Sequence, residues 1–559
     1  MIPRLVVIFI GCLAYSLGAM AASSSTKVFP GAEGFGTDTP AGRGGQVYTV
    51  TSLADSGAGT LREALLASGP RTIVFAVSGT IHLEKNIQVK SPFVTLACQS
   101  APSPGIQIEG AMLDILTTDV LIRYCKIRTG DSSHPTSNSD TTDAMTIGNF
   151  SNKIDVARVV VDHSELVFGP DIGSIAVFNA KDFTISWSIL GAGLYRSNHP
   201  KADAPGEKHS MGLFLREGVH LTPHYWPTRG SVHHNILLHS NARMPIIQGQ
   251  EIDYINNLMY NGGYIFAAVV PRSLNYLGNV HIQGPNTRNT NWCAIVMGGN
   301  ILIKDPTAVM QAYESDSTVE GNKGCVRGLI QGGTMNSFKN APLFPISIAT
   351  VHSSSLVENE LIGEAGPTLP LIDPLTQMFY DDVSNRTGTW YNGNNFNGTD
   401  GFPSYTTVLP NLKGRLGQAD SDKDGMPDSW EQQYFGNLSQ GGQVNSSSDF
   451  DGDNYTDLEE YLNGTDPIGI TCGGEIKTVR TALEASKASK GLKRNLGRNL
   501  DSAVDALEKG EICLAQNTLV DFQNKVNTMI ARNRLVEGEP DLSEATRAAI
   551  LCVNATPGC

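Results

Sequence analysis

Four asparagines divide one stretch of this chain at nearly constant intervals. Asn235, Asn257, Asn279 and Asn300 fall 22, 22 and 21 residues apart, each followed by apolar residues. Asparagine tolerates the left-handed backbone of a sharp corner, and its amide can bond an equivalent amide one coil away. A recurrence at this period therefore predicts the stacked coils of a solenoid. Upstream, Ser188 in Ser-Trp-Ser-Ile-Leu and Ser164 in Asp-His-Ser-Glu-Leu occupy the same position with a different polar residue. The 47 residues from Ser188 to Asn235 are read as about two coils, with the polar, Pro- and His-rich stretch 197–207 projecting as a loop. Short apolar runs such as Thr72 to Val77, Val120 to Ile127 and Phe183 to Ile189, bounded by Gly, Asn, Asp or Pro, are expected to be its strands. No helical pattern of ten or more residues alternates with them between about 70 and 305, so a βαβ sheet is not expected. Parallel strands stacked in register make a long face along which an extended polymer can lie.

Composition agrees with an all-β chain, since 58 glycines in 559 residues imply many tight turns. A formal net charge of −14 argues against a nucleic-acid partner, for which Lys and Arg must be in excess, but leaves room for a local basic groove. Arg4 stands ahead of an apolar run from Leu5 to Leu17, and Ala19-Met20-Ala21 offers small residues for cleavage, so residues 1–21 are expected to be an export signal. The run is shorter than the roughly 20 apolar residues of a membrane span, and none is expected. Eight cysteines follow: Cys98, Cys125, Cys293, Cys325, Cys472, Cys513, Cys552 and Cys559. An oxidising destination permits disulfides, though spacing does not give their pairing. Four of the eight lie beyond residue 470, where a separately stapled small module is expected; Cys513 with Cys552 and Cys472 with Cys559 are plausible pairs.

After about residue 415 the pattern changes. Asp420, Asp422, Asp424, Asp428 and Glu431 stand at positions 1, 3, 5, 9 and 12 of a loop with Gly425 at position 6. This is the ligand spacing of an EF-hand-like calcium loop. Asp449, Asp451, Asp453, Asp457 and Glu460 repeat it, with Asn454 in place of the glycine. The pair resembles the calcium repeats of thrombospondin type 3 and dockerin-like modules, which implies structural Ca2+ clips within residues 415–470. Beyond, in 471–559, Val479 to Ala485, Leu500 to Leu507 and Leu514 to Ile530 have helical spacing. They resemble the small helical modules at the C-termini of secreted bacterial enzymes.

The segment 27–414 carries motifs that take the solenoid further. Val28-Phe-Pro-Gly-Ala-Glu-Gly-Phe-Gly36, Gly42-Arg-Gly-Gly45, Asp55-Ser-Gly-Ala-Gly-Thr-Leu-Arg62 and Ile73-Val-Phe-Ala-Val-Ser-Gly-Thr-Ile81 occur in order. Asp162-His163, Ile185-Ser-Trp187, His233-His-Asn-Ile-Leu-Leu-His-Ser-Asn-Ala-Arg-Met-Pro245 and Asp382-Val-Ser-Asn-Arg-Thr-Gly388 follow. Together they resemble the pectate lyase family over roughly residues 27 to 465. The resemblance implies a right-handed parallel β-helix and calcium-assisted β-elimination on a uronate polymer such as pectate or pectin. A base removes the proton on C5, and the C4–oxygen bond breaks without water. The expected enzyme is secreted and monomeric.

The same resemblance implies roles for individual residues. Arg243 in Asn-Ala-Arg-Met-Pro matches the catalytic base, and Lys208 in Lys-His-Ser-Met-Gly matches a basic residue that holds the substrate carboxylate, with His209 beside it. Asp143 and Asp171 match calcium ligands. The chain departs from the family pattern in three places. Ile175 stands four residues after Asp171, where many members have an acid; Thr141 stands two before Asp143; and Gln248 replaces a second arginine, leaving an amide for substrate binding. Asp162 and Glu165 are candidate substitutes among the metal ligands. His233 and His234 suggest a metal pair, but neighbours on a strand point to opposite faces and cannot readily share one ion, so they are read as stacking residues. Two alternatives stay open: a non-catalytic cell-wall polysaccharide binder on the same solenoid, and a lyase for a different uronate polymer. A polygalacturonase lacks its aspartate signatures here, and a serine esterase lacks Gly-x-Ser-x-Gly.

Overall fold

A computed structural model describes residues 26–131, 143–149, 154–171, 173–199, 208–216, 226–263, 267–269, 272–288, 295–297, 311–320, 330–332, 338–339, 341–348, 350–439, 447–467, 473–486, 488–508, 512–531, 542, 545–547, 549–550 and 553. The expected export signal, Asn300, Thr141, most of 197–207 and the proposed C-terminal cysteine pairs lie outside these residues.

Three parallel sheets wrap one core. Among the described residues the first has eleven strands and the other two nine each, and, apart from the first two strands, which pair with each other, each sheet takes every third strand of the chain. One coil thus comprises Lys181–Ser186 in the first sheet, Ile189–Gly191 in the third and Leu213–Arg216 in the second, before Thr228–His233 begins the next. This is a parallel β-helix. Its register aligns like residues: Ile73, Leu96, Ile122, Val161, Ile185, Val232, Tyr254 and Tyr276 form one column through the core. All eight are buried. A coil that fails to present an apolar residue there would leave a hole against both neighbours, which explains why these runs are so dense in Val, Ile and Leu.

The asparagine column is present and longer than the repeat suggested. The amide oxygen of Asn257 accepts from the backbone N–H of Asn235 (3.1 Å) and from its side chain (2.9 Å), and Asn279 serves Asn257 in the same way. Asn235 in turn accepts from the N–H of Ser188, whose hydroxyl accepts from Ser164, and Ser317 continues beyond Asn279. Two details correct the sequence reading. The left-handed residue is the one before each column member, namely His163, Trp187, His234, Asn256 and Gly278. Ser188 and Asn235 are on adjacent coils, since Ile189–Gly191 pairs directly with Ile236–Leu238. The 47 residues are one coil with insertions, not two.

The helices among the described residues are α1 (Leu61–Leu66), α2 (Ser354–Leu361), α3 (Pro374–Asn385), α4 (Asp428–Tyr434), α5 (Asp457–Asn463), α6 (Gly473–Ala485), α7 (Lys490–Glu508) and α8 (Ile512–Ala531). The chain from α2 to about Tyr405 is a strap over the third sheet, where Val357, Leu361, Phe379 and Val383 cover Ile236, Leu238, Leu258 and Tyr260. A buried ionic network pins it: Arg128 bonds Glu165 (2.6 Å) and Asp373 (2.9 Å), Lys126 reaches Asp373 (3.1 Å), and Asp373 caps the N-terminus of α3. Cys98 and Cys125, on adjacent coils, form a disulfide. The helices α6 to α8 bury their own apolar side chains, including Val479, Leu500, Leu519 and Phe522. No helix among the described residues is long and apolar enough to cross a membrane.

Candidate active site

The second sheet gathers five of the expected site residues at one edge, ahead of four successive strands. Asp143 precedes the strand Met145–Ile147, Asp171 precedes Ile175–Phe178, Lys208 and His209 precede Leu213–Arg216, and Arg243 precedes Ile246–Ile247. Because these strands pair in order, residues up to 100 positions apart in the chain, Asp143 and Arg243, share one rim. The backbone ladder continues into the rim, with Ser174 N–H donating to Gly212 O and Gly212 N–H to Ala242 O. Gly173 N–H donates to Asp143 Oδ1 at 2.9 Å.

Arg243 sits at an irregularity in that ladder. Met211 is bridged to Ala242 and Phe214 to Ile246, so one coil advances three residues while the next advances four. The extra residue is a bulge, a device that re-aims a side chain at a sheet rim. Arg243 has φ +56°, the left-handed region that a non-glycine residue adopts only when its surroundings hold it there. Its guanidinium carbon lies 4.4 Å from the centroid of the Phe214 ring. Burial pushes the Arg243 guanidinium down to about 10; Asp143 and Asp171 oppose that change and Arg216 adds to it.

Asp171 is shared with two imidazoles. His199 Nε2 is 3.1 Å and His209 Nδ1 3.9 Å from Asp171 Oδ1, and His209 Nδ1 donates to the carbonyl of Pro170 at 3.0 Å. The His209 imidazole is lowered by burial first and then by His199. Lys208 is close enough to Asp400, in the strap, to help hold that carboxyl low, although Arg196 is the main cause. Ile175 is fully buried among core side chains, so its position cannot supply a ligand. Gln248 is buried as well, its Oε1 lacking a hydrogen-bond donor among the described residues, and it does not form part of an exposed substrate surface.

Asp162 and Glu165 are placed elsewhere. Asp162 ends a strand of the first sheet and binds Arg123 (2.8 Å), His163 (2.7 Å) and Ser186 (2.7 Å); these partners outweigh burial and hold its carboxyl below the usual range. Glu165 belongs to the Arg128 network. Neither joins Asp143 and Asp171, which corrects their assignment as metal ligands. The sequence reading also missed His199, Arg216 and Phe214. Only His199 had a signal, its place in a His- and Pro-rich stretch.

No family model matches the sequence. Curated relatives do. The chain is 34% identical over 287 residues to a Neosartorya fischeri protein described as "Probable pectate lyase C", an alignment spanning 50% of this chain and 60% of that relative. It is 32% identical over 334 residues to an Aspergillus terreus protein of the same description, spanning 58% of this chain and 70% of the relative. The chain belongs to the pectate lyase family. An Aspergillus fumigatus relative with the same description aligns over 81% of this chain and 98% of its own length at 29% identity. Among solved structures, a pectate lyase bound to a hexasaccharide is 14% identical, with 62% of this chain and 99% of that one covered and a TM-score of 0.40.

Away from the Arg243 rim, the two acidic loops are copies of one another in structure. In the first, Asp420 accepts from the N–H groups of Lys423 and Gly425, Asp424 from Met426 and Asp428 from Ser421. In the second, Asp449 accepts from Gly452 and Asn454, Asp453 from Tyr455 and Asp457 from Phe450. Asn454 takes the left-handed conformation of Gly425, as its position requires. Oxygens of Asp422, Asp424, Asp457 and Glu460 are buried with no hydrogen-bond donor among the described residues. Burial and then the charges of Asp451, Asp453, Asp457 and Asp449 push the Glu460 carboxyl up to about 9. Such a crowd of convergent oxygens, all hard donors, fits Ca2+.

Proposed function

We propose that this chain is an exported enzyme that cleaves pectate-type uronate polymers by β-elimination, with Arg243 as the base. The observation that carries this reading is the Arg243 guanidinium on the sheet rim beside Asp143 and Asp171, with its proton affinity reduced by burial. An arginine is normally protonated at any working pH. One lowered to about 10 supplies a neutral fraction near 1% at pH 8, rising tenfold with each pH unit.

In the reaction, neutral Arg243 takes the proton from C5 of a uronate. The C–H electron pair forms the C4–C5 double bond, and the C4–oxygen bond breaks with its electrons leaving on the departing sugar oxygen. That oxygen then takes a proton from water, so the products are a 4,5-unsaturated uronate and a new chain end. Lys208 pairs with the substrate carboxylate, His209 lines the same rim, and Phe214 keeps water from one face of the base.

Asp143 and Asp171 are the residues that would hold a catalytic Ca2+, which supplies Lewis-acid neutralisation of the uronate carboxylate and so acidifies C5–H. Two buried carboxylates are fewer oxygens than calcium takes, and this donor set fits an ion completed by the uronate itself. In the acidic loops, Asp420, Asp422, Asp424, Asp428 and Glu431, with Asp449, Asp451, Asp453, Asp457 and Glu460, are proposed to hold structural Ca2+ within residues 415–470.

The test is the ultraviolet absorbance of the unsaturated product, with polygalacturonate and calcium at alkaline pH. A rise abolished by Arg243→Ala and by chelator supports the lyase and its base. No rise on pectate, pectin or rhamnogalacturonan by protein that still binds the polymer would favour the cell-wall binder. The burial of Ile175 and Gln248, where the family has charged groups, is what keeps that second reading in play.

A further inference from the structure

A second cluster of potential ligands lies away from the Arg243 rim, where the strap crosses the corner between the first and third sheets. His234, His352 and Glu360 each present a ligand atom within 4.8 Å of the other two. His234 is on the corner itself, its ring stacked on Trp187 with centroids 4.5 Å apart. His352 lies two residues ahead of α2, where the chain enters the strap, and Glu360 is in α2.

Hydrogen bonding fixes which nitrogen of His234 is free. His233 Nε2 is 3.3 Å from the carbonyl of Glu33, which can only accept, so that nitrogen carries the proton. Both rings are only 2% exposed, where the uncharged imidazole is the favoured form. His233 Nδ1 is then a lone pair, and His234 Nδ1, 3.0 Å away, must donate to it. The proton of His234 is thereby committed to Nδ1, and Nε2 is left as a bare lone pair. It is buried and has no hydrogen-bond partner among the described residues. A buried acceptor with no donor is costly. An imidazole whose far N–H is tied to a second acceptor is the arrangement found behind metal-ligating histidines.

The other two ligands are held by separate devices. Asn256, the residue one coil above His234, grips the backbone of His352 on both sides, accepting from its N–H (2.9 Å) and donating to its carbonyl (2.8 Å). Asp316 receives the N–H of Ser354 and so anchors the start of α2, which carries Glu360. The His352 ring already contacts the Glu360 carboxylate. Both side chains are about one-quarter exposed and can adjust towards the roughly 3.3 Å ligand separations of a tetrahedral zinc site.

The geometry points to a binding site for a divalent transition-metal ion of the zinc type, formed by His234 Nε2, His352 and Glu360. Two imidazoles and one carboxylate suit zinc rather than calcium, and three protein ligands leave a fourth position for water. The ion would clip the strap to the β-helix at a point remote from the catalytic rim.

The experiment is zinc binding to the full-length protein by equilibrium dialysis, with excess calcium filling the acidic loops. It is paired with the visible absorption of the cobalt-substituted protein. The background is His199→Ala, which removes a nitrogen from the Asp171, His199 and His209 group. The expected result is one tightly held ion per chain with the intense bands of low-coordinate cobalt. His352→Gln and Glu360→Gln, both at partly exposed positions, should each weaken zinc at least tenfold and remove the zinc-dependent rise in Tm. No bound ion, or wild-type affinity in either variant, would overturn the site and leave His352 and Glu360 as an ion pair only.

Discussion

The guanidinium of Arg243 lies over the face of Phe214, 4.4 Å from its centroid, while Arg216, two residues along the same strand, lies 5.4 Å from that centroid. Two cations lie against one ring, and Arg243 also feels Asp143 and Asp171. An attractive face and two carboxylates should hold a proton on Arg243, yet burial and Arg216 outweigh them and the net change is downward to about 10. This balance gives the first prediction. At saturating substrate, log kcat should rise with unit slope from pH 7 to 9 and level near pH 10, because the working form is the deprotonated one. Arg243→Lys should lower kcat by at least about 10^3 with KM within a few-fold. A flat profile over that range would remove Arg243 from the role of base.

Phe214 tunes this balance from outside the reaction. Replacing it by Ala removes a cation–π attraction of about 0.5–2 kcal/mol and readmits water to the guanidinium. Since burial is the largest influence on Arg243, the solvent effect should win. Phe214→Ala is expected to shift the alkaline limb upward by about one pH unit and to lower kcat at pH 8.5 about tenfold, with KM little changed. Phe214→Tyr should restore the profile. A loss of activity with an unshifted limb would mean the ring merely shapes the groove.

How much of this was legible in the sequence depended on whether the signal was local or periodic. The spacing of Asn235, Asn257 and Asn279 gave the solenoid, because each coil must return the same residue to the same corner. The relation of Asp171 to His199 was not legible, because their meeting depends on how far an insertion folds back over the rim. Nor was the Arg243 bulge, which is a one-residue mismatch between two coils and has no pattern within either. The strap was missed for another reason. Residues such as Phe379 and Val383 are apolar at helical spacing, but nothing in that spacing says they cover the third sheet. Asp162 was offered only as a substitute for an absent family acid, and sequence gives no sign that Arg123 on the adjacent strand already satisfies it.

The asparagine column should be expensive to break. Asn257→Ala removes the acceptor of the Asn235 N–H and the donor to the Val232 carbonyl, both buried. With about 1–3 kcal/mol for each buried group left unsatisfied, the unfolding free energy should fall by roughly 2–4 kcal/mol, read from the urea midpoint. Asn257→Ser should cost less than half as much, because Ser164, Ser188 and Ser317 already do this work elsewhere in the column. Equal losses for Ala and Ser would show that the cost comes from packing and not from the bonds.

The acidic loops make calcium and pH interchangeable in a defined window. Without metal, Glu460 is pushed up to about 9, Asp424 to about 7 and Asp453 to about 6, in each case by burial first and neighbouring carboxylates second. Their unfolded values lie near 4, so the folded state binds more protons than the unfolded one between pH 4 and 9. Stability from these groups is therefore full below pH 4 and is lost as pH rises to 9. With chelator present, Tm should fall steadily from pH 5 to 8. Saturating calcium replaces the protons and should abolish that fall, with the gap between the two curves widest at pH 8. Glu460→Gln should raise Tm in chelator at pH 8 while reducing the response to calcium. A chelated protein whose Tm is flat over this range, or unchanged by calcium, would show that the loops fold without an ion and that their carboxylates are solvated.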